Sequence, residues 1–328
     1  MFFFQIGEKY CEVVGEDFDV VIVRFFGIFF FFLQSSQVWG NLISSAVLSV
    51  GVNNFTRSEE FLEKCGANFC PSFELGQTNV TSVEASDHQF KIYLMTSIYL
   101  GLAWCSVAFV AVFVSPLSSF YSYGIGLNPP KNKNVELLFA TFKQMKKPYQ
   151  ILITPLTIWS GIEQGFLSAD YTAAFVSCGI GIHMVGYSFL CYGVSDAICT
   201  LAFTPLIQYV KRVPIFTFGA LLNVALLILM FAWKPDPEDY FVFFLIPALW
   251  GMSDAIWQTQ INAYYGVLFP KNTEAAFSNY RLWEAAGYIL AYIISSFLCM
   301  RAKMYVNLLS LGLGMAGFYT IEVMEKRK

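Results

Sequence analysis

Residues 241–268 read FVFFLIPALWGMSDAIWQTQINAYYGVL. The run is long and apolar enough to cross a bilayer as a helix. Yet Asp254, Gln258 and Asn262 recur inside it at four-residue steps, which puts all three on one side of that helix. An apolar helix with a polar stripe is a membrane span with something to face. The spelling also recurs: Trp250-Gly-Met-Ser-Asp-Ala-Ile256 echoes Tyr192-Gly-Val-Ser-Asp-Ala-Ile198, at the same point of another apolar run.

Composition carries this reading to the whole chain. Of 328 residues, 56% are hydrophobic and 13% charged, where soluble proteins average about 25% charged. So much apolar material cannot be packed into a soluble core under a wettable surface. Repeated apolar runs indicate an all-α polytopic membrane protein. The net charge of -3 says little, but the basic residues are scattered in short clusters rather than gathered on one domain, which argues against a nucleic-acid partner. The apolar opening at Met1–Phe4 is no secretory signal, because Glu8, Lys9, Glu12, Glu16, Asp17 and Asp19 follow too soon.

About eight transmembrane helices are expected: Val20–Val50, Phe90–Leu117, Ile151–Phe175, Ile180–Val210, Ile215–Trp233, Phe241–Leu268, Asn279–Met300 and Met304–Val323. The loop at 51–88 carries two glycosylation sequons, at Asn54 and Asn79, of which Asn79 stands further from the membrane. It also holds Cys65 and Cys70, for which a disulfide within the loop is expected in an oxidising compartment. The cysteines in the spans, Cys178 and Cys299 among them, read as small packing residues. Acidic, glycosylatable and cysteine-bearing, this loop is placed outside the cell.

The linker at 118–150 holds Lys131, Lys133, Lys143, Lys146 and Lys147 against Glu136, so the positive-inside rule makes it cytoplasmic. Within it, Val135–Lys147 is amphipathic. It reads either as a helix on the membrane surface, its basic end on anionic lipid, or as a solvated linker helix. The later turns alternate in charge as this topology requires. Arg301 and Lys303 are the exception, since they fall on the outer side.

Charged and polar groups inside spans are costly and mark either a cavity or the packing of helices. The candidates are Glu163 and Gln164, Asp196 and Thr200 (with Thr204 a further step on), Asp254, Gln258 and Asn262, and Glu284. An acidic set facing a central cavity would suit a cation or proton path. The other reading is that these groups hydrogen-bond neighbouring helices. Arg281 and Glu284 are close enough to pair with each other. Asp170 is placed near the outer membrane surface. Gly312-Leu-Gly-Met-Ala-Gly317 has the spelling of a dinucleotide loop, but it lies in an apolar span with no strand before it. Like Gly161-x-x-x-Gly165, it reads as close helix contact. Two histidines leave little material for a metal site or a histidine-based triad. No catalytic residue, metal or cofactor is expected, and the chain does not read as an enzyme.

Several stretches resemble the Unc-ninety-three-like family of the major facilitator superfamily. They are Arg24–Phe30 leading to Gln34–Ser45, the Cys65/Cys70 loop, Trp159-Ser-Gly-Ile-Glu-Gln164 and Trp250–Gln260. The resemblance implies twelve spans in two six-helix halves, with these eight aligned to the fifth through twelfth and the first four spans missing. Residues 1–117 would then be a remnant of the N-terminal half, 118–150 the connection between halves, and 151–328 a complete C-terminal bundle. The family implies a multi-pass plasma-membrane protein whose partners are membrane lipids and another membrane protein. The leading function is regulation of a potassium channel. The alternatives are solute or cation transport and trafficking of membrane receptors.

Overall fold

A backbone amide in hydrocarbon must find its partner within its own segment, so a membrane chain built this way folds as helices. The computed structural model describes residues 7, 10, 11, 13–15, 18–49, 58–71, 82–113, 134–206, 210–270 and 272–327. Asn54 and Asn79 lie outside the described residues, as does all of 118–133. Among the described residues there is no strand. The helices are α1 (Phe18–Leu48), α2 (Ser82–Phe113), α3 (Asn134–Met145), α4 (Pro148–Gly165), α5 (Val185–Leu206), α6 (Arg212–Ala232), α7 (Tyr240–Leu268), α8 (Thr273–Phe297) and α9 (Met300–Lys326). α4 runs on as a π-helix, Phe166–Ser177.

Each of the eight expected spans is mainly helical on its described residues, with non-helical ends at Ser49, Ile180–Gly181, Val210, Trp233 and Leu298–Cys299. Among the described residues, five segments are long and apolar enough to cross a membrane by length and composition: Gln89–Phe113, Ile182–Phe203, Arg212–Ala232, Tyr240–Leu268 and Met300–Lys326. The protein is an all-α polytopic membrane protein. The π-helix was not read from the sequence. Its i→i+5 bonding widens each turn, and it turns Phe166, Asp170, Tyr171, Ala174 and Phe175 inward together.

The core has two aromatic layers. One gathers Phe166, Tyr171, Phe175, Phe243 and Trp250. The other gathers Trp159, Phe216, Trp257, Tyr264 and Phe318, with Phe216 stacked on Phe318 at 4.2 Å and Trp159 edge-on to Trp257 at 4.8 Å. α1 packs along α5 and reaches α7. α2 leans mainly on α1, through Tyr99 Oη donating to the Gly40 carbonyl at 2.7 Å, and no residue of 89–113 is buried.

The loop at 58–71 corrects the disulfide expectation. Cys65 and Cys70 are both bonded, but not to each other: Cys65 joins Cys178 and Cys70 joins Cys299. Cys178 and Cys299 are therefore bridging residues rather than packing ones. The reason lies in how the ends of two bundle segments converge on the loop. The 3₁₀ turn Gly66–Asn68 separates the two loop cysteines, and each meets a different segment. The seam is completed by Met300 N–H donating to the Phe69 carbonyl at 2.8 Å. Gly66, at φ +67°, sits where any side chain would strike Pro235.

The misplaced positive charges are also explained here. Arg301 Nη2 donates to Asn68 Oδ1 at 3.0 Å. Lys303 is buried with its Nζ 2.6 Å from Asp170 Oδ1, and it donates as well to the Ser295 carbonyl at 2.9 Å. Ser295 Oγ donates to the same Asp170 oxygen at 2.6 Å. The charge of Lys303 is thus neutralised inside the fold by the buried Asp170, while Arg301 stays exposed and is held by a neutral amide. His183, read as lying in a span, sits in the short 3₁₀ turn Ile182–Met184 that opens the segment leading into α5.

Candidate functional site

On α4, Glu163 falls between Trp159 of one aromatic layer and Phe166 of the other. On α7, Asp254 falls between Trp257 and Trp250 in the same way. The two acids thus share a level between the layers, and α5 adds Asp196. All three side chains are fully buried. The Asp254 carboxyl lies close enough to both Glu163 and Asp196 for the three to interact electrostatically.

Close helix crossings make this meeting possible. A side chain at Gly251 would lie 2.4 Å from the Tyr192 carbonyl and 3.1 Å from Asp196 N, so α5 and α7 touch at that glycine. The two copies of the repeated sequence therefore face each other. Their leading aromatics supply the donors. Tyr192 Oη donates to Asp254 Oδ2 at 2.5 Å, and Trp250 Nε1 donates to Glu163 Oε2. Gln34, from α1, and Gln258 each donate to Asp254 at 3.4 Å. Thr200 Oγ1 donates to Asp196 Oδ1 at 3.3 Å.

What the cluster lacks is a cation. None of the ion pairs among the described residues involves these three acids. Glu163 Oε1 and Asp196 Oδ2 are buried without a hydrogen-bond partner. Among the described residues, no three His, Cys, Asp or Glu side chains are placed to hold a metal ion. The arrangement suits a proton or a weakly held cation shared among carboxylates.

A polar string leads away from the cluster. Asn262 Nδ2 donates to the Gln258 carbonyl at 2.6 Å and to Tyr280 Oη at 3.3 Å. Tyr280 Oη donates to Glu284 Oε1 at 2.9 Å, and Arg281 Nη1 donates to Glu284 Oε2 at 2.7 Å. Arg281 is 53% exposed, so the string runs from the buried acids to the surface. The Arg281–Glu284 pair is as its spacing led one to expect.

The structure brings together Glu163, Asp196, Thr200, Asp254, Gln258, Asn262 and Glu284. It sets Gln164 apart, as the acceptor of a hydrogen bond from Tyr288. The side chain of Thr204 lies outside the described residues. Sequence reasoning did not assign Tyr192, Trp250, Gln34 or Tyr280 to the site, although the repeated motif had already marked the first two. The glycine stretches are helix contacts except at Gly312, which faces open space: Gly161 lies against the Glu284 carbonyl, Gly287 against that of Ile158, and Gly317 against that of Leu152.

Fold and site together define a polytopic membrane protein with an acidic centre that has no counter-charge among the described residues. Residues 22–319 match the family described as "Ion channel regulatory protein UNC-93", and the chain belongs to that family. It is 43% identical to protein unc-93 homolog A of Bos taurus over 317 residues, 96% of this chain and 67% of that protein. It is 39% identical to protein unc-93 homolog A of Xenopus laevis over 324 residues, 98% of this chain and 69% of that one. Against a Caenorhabditis elegans relative named "putative potassium channel regulatory protein unc-93" it is 32% identical over 326 residues, 97% of this chain and 45% of the relative. The Danio rerio homolog A is covered to 65% of its length, so the chain spans roughly two thirds of these vertebrate relatives.

Proposed function

We propose that this chain is a non-enzymatic regulatory subunit of a potassium channel in the plasma membrane. The observation that carries the reading is similarity along nearly the whole chain to the C. elegans relative whose name states that role. The exposure of α2 supports it, because a helix with no buried residue in 89–113 offers a full face to another membrane protein. On this reading 151–328 forms the complete half of a two-half fold. Co-expression with a panel of potassium channels tests the proposal. Altered current density and recovery of a channel on affinity purification are expected. Unchanged currents with no co-purified channel across the panel would count against it.

A second reading, transport of a cation or solute, draws on the unpartnered oxygens of Glu163 and Asp196. Asp254→Asn and Asp196→Asn separate the two. Transport through the cluster is abolished by either change, whereas regulation through a docking surface survives both. Uptake in reconstituted vesicles that both variants retain would remove the acids from any transport mechanism.

A further inference from the structure

Helix α3 is inverted relative to a helix of a soluble surface. Its polar Thr141 and Gln144 are buried, and the Thr141 carbonyl accepts from Asn279 Nδ2 of α8 at 2.9 Å. Its Phe139 and Phe142 point away, 71% and 62% exposed. In water each exposed ring forgoes roughly 1.5–3 kcal/mol of burial. The orientation is stable where acyl chains cover that face, so α3 belongs in the membrane interface rather than in solvent.

Lys143, Lys146 and Lys147 follow the two rings, and none of them makes an ion pair among the described residues. Beside Lys147 a cavity of about 460 Å³ opens between the start of α4, the α7–α8 connection and the end of α9. Leu268, Phe269, Pro270 and Met324 make most of its wall, with Lys147 and Tyr149 at one side. The neighbouring acid, Glu325, is engaged by the Tyr149 hydroxyl. An apolar chamber with an unpaired ammonium at its edge, next to a helix lying in the interface, has the chemistry of one ligand class.

We propose that this cavity binds an anionic phospholipid of the cytoplasmic leaflet, its acyl chain against Leu268, Phe269 and Met324 and its phosphate on Lys147. Lys143 and Lys146 reinforce the site as surrounding positive charge. The site is independent of the acidic cluster and of any channel partner.

The test uses the purified full chain in detergent, titrated with phosphatidylserine, phosphatidylcholine or inorganic phosphate, with retained ligand counted by native mass spectrometry. Phosphatidylserine is expected to be retained in preference to phosphatidylcholine. Lys147→Gln is expected to weaken its retention about fivefold, and Leu268→Trp, which crowds the apolar wall where the acyl chain lies, to weaken it as well. Lys211→Gln, on another loop, serves as a folded control with unchanged retention. Equal retention of phosphatidylcholine, or phosphatidylserine binding untouched by both site variants, overturns the proposal. So does displacement of the lipid by inorganic phosphate alone, which would make the site a free-phosphate site.

Discussion

Asp170 and Asp254 are both buried acids in the helical bundle, but only Asp170 faces a cation. Asp170 meets the Lys303 ammonium at 2.6 Å and is bonded in addition by Ser295. Asp254 meets Tyr192, two glutamines and two further carboxyls. A neutralised pair recovers through Coulomb attraction part of what desolvation costs it, so it holds its helices in place. An acidic cluster without a counter-charge recovers little. Its cost points to use rather than to stability, which is the usual meaning of ionisable groups inside membrane spans. The same end of the bundle carries the two disulfides, so rigidity and a neutralised buried pair coincide there. The centre of the bundle keeps its polar atoms partly unsatisfied.

The comparison breaks most directly at Lys303. Lys303→Met leaves Asp170 buried and unpaired, and should cost about 3 to 5 kcal/mol, read as a large fall in the thermal unfolding midpoint in detergent. Adding Asp170→Leu should recover most of that fall, and a single variant as stable as the parent would show that the pair is not structural. Next in size, Cys70→Ser should cost about 2 to 4 kcal/mol. Peptide mapping without reductant should find Cys65 linked to Cys178 and Cys70 to Cys299, and recovery of a Cys65–Cys70 peptide would contradict the seam. Tyr192→Phe removes the shortest hydrogen bond to Asp254 and should cost about 1 to 3 kcal/mol, in the same assay. Asp254→Asn, by contrast, should leave the midpoint within about 1 kcal/mol of the parent or raise it, because it removes charge that nothing compensates. A fall as large as that of Lys303→Met would erase the distinction between the two acids. Smallest of all, Arg281→Gln acts on a pair whose arginine is half exposed and screened by solvent, and should shift stability by less than about 1 kcal/mol.

Much of the fold was legible before any coordinates. Helices α5, α6, α7 and α9 follow from the length of their apolar runs, and the Asp254–Gln258–Asn262 stripe from its spacing. The Arg281–Glu284 pair and the close contacts at Gly161 and Gly317 were likewise readable, since they turn on spacing along one helix or on residue size. The site was legible as a set of acids but not as a site. Tyr192 appeared only as the first letter of a repeat, and Gln34 only as the start of a stretch that resembles the family. Nothing in their local sequence says that α1, α5 and α7 converge on Asp254. The π-helix was hidden for a related reason: an apolar run reads alike whether its bonds run to i+4 or i+5.

The sequence by itself thus determined that this is a chain of membrane helices, which positions along them are polar, and the family to which it belongs. All three follow from residue type, short-range periodicity and local motifs. Tertiary structure alone decided the pairings. Cys65 finds Cys178 across 113 residues and Cys70 finds Cys299 across 229, while Lys303 passes over nearer acids for Asp170. These choices are made by the angles and offsets at which rigid helices cross, and such crossings depend on every side chain in the interface rather than on any one stretch of sequence.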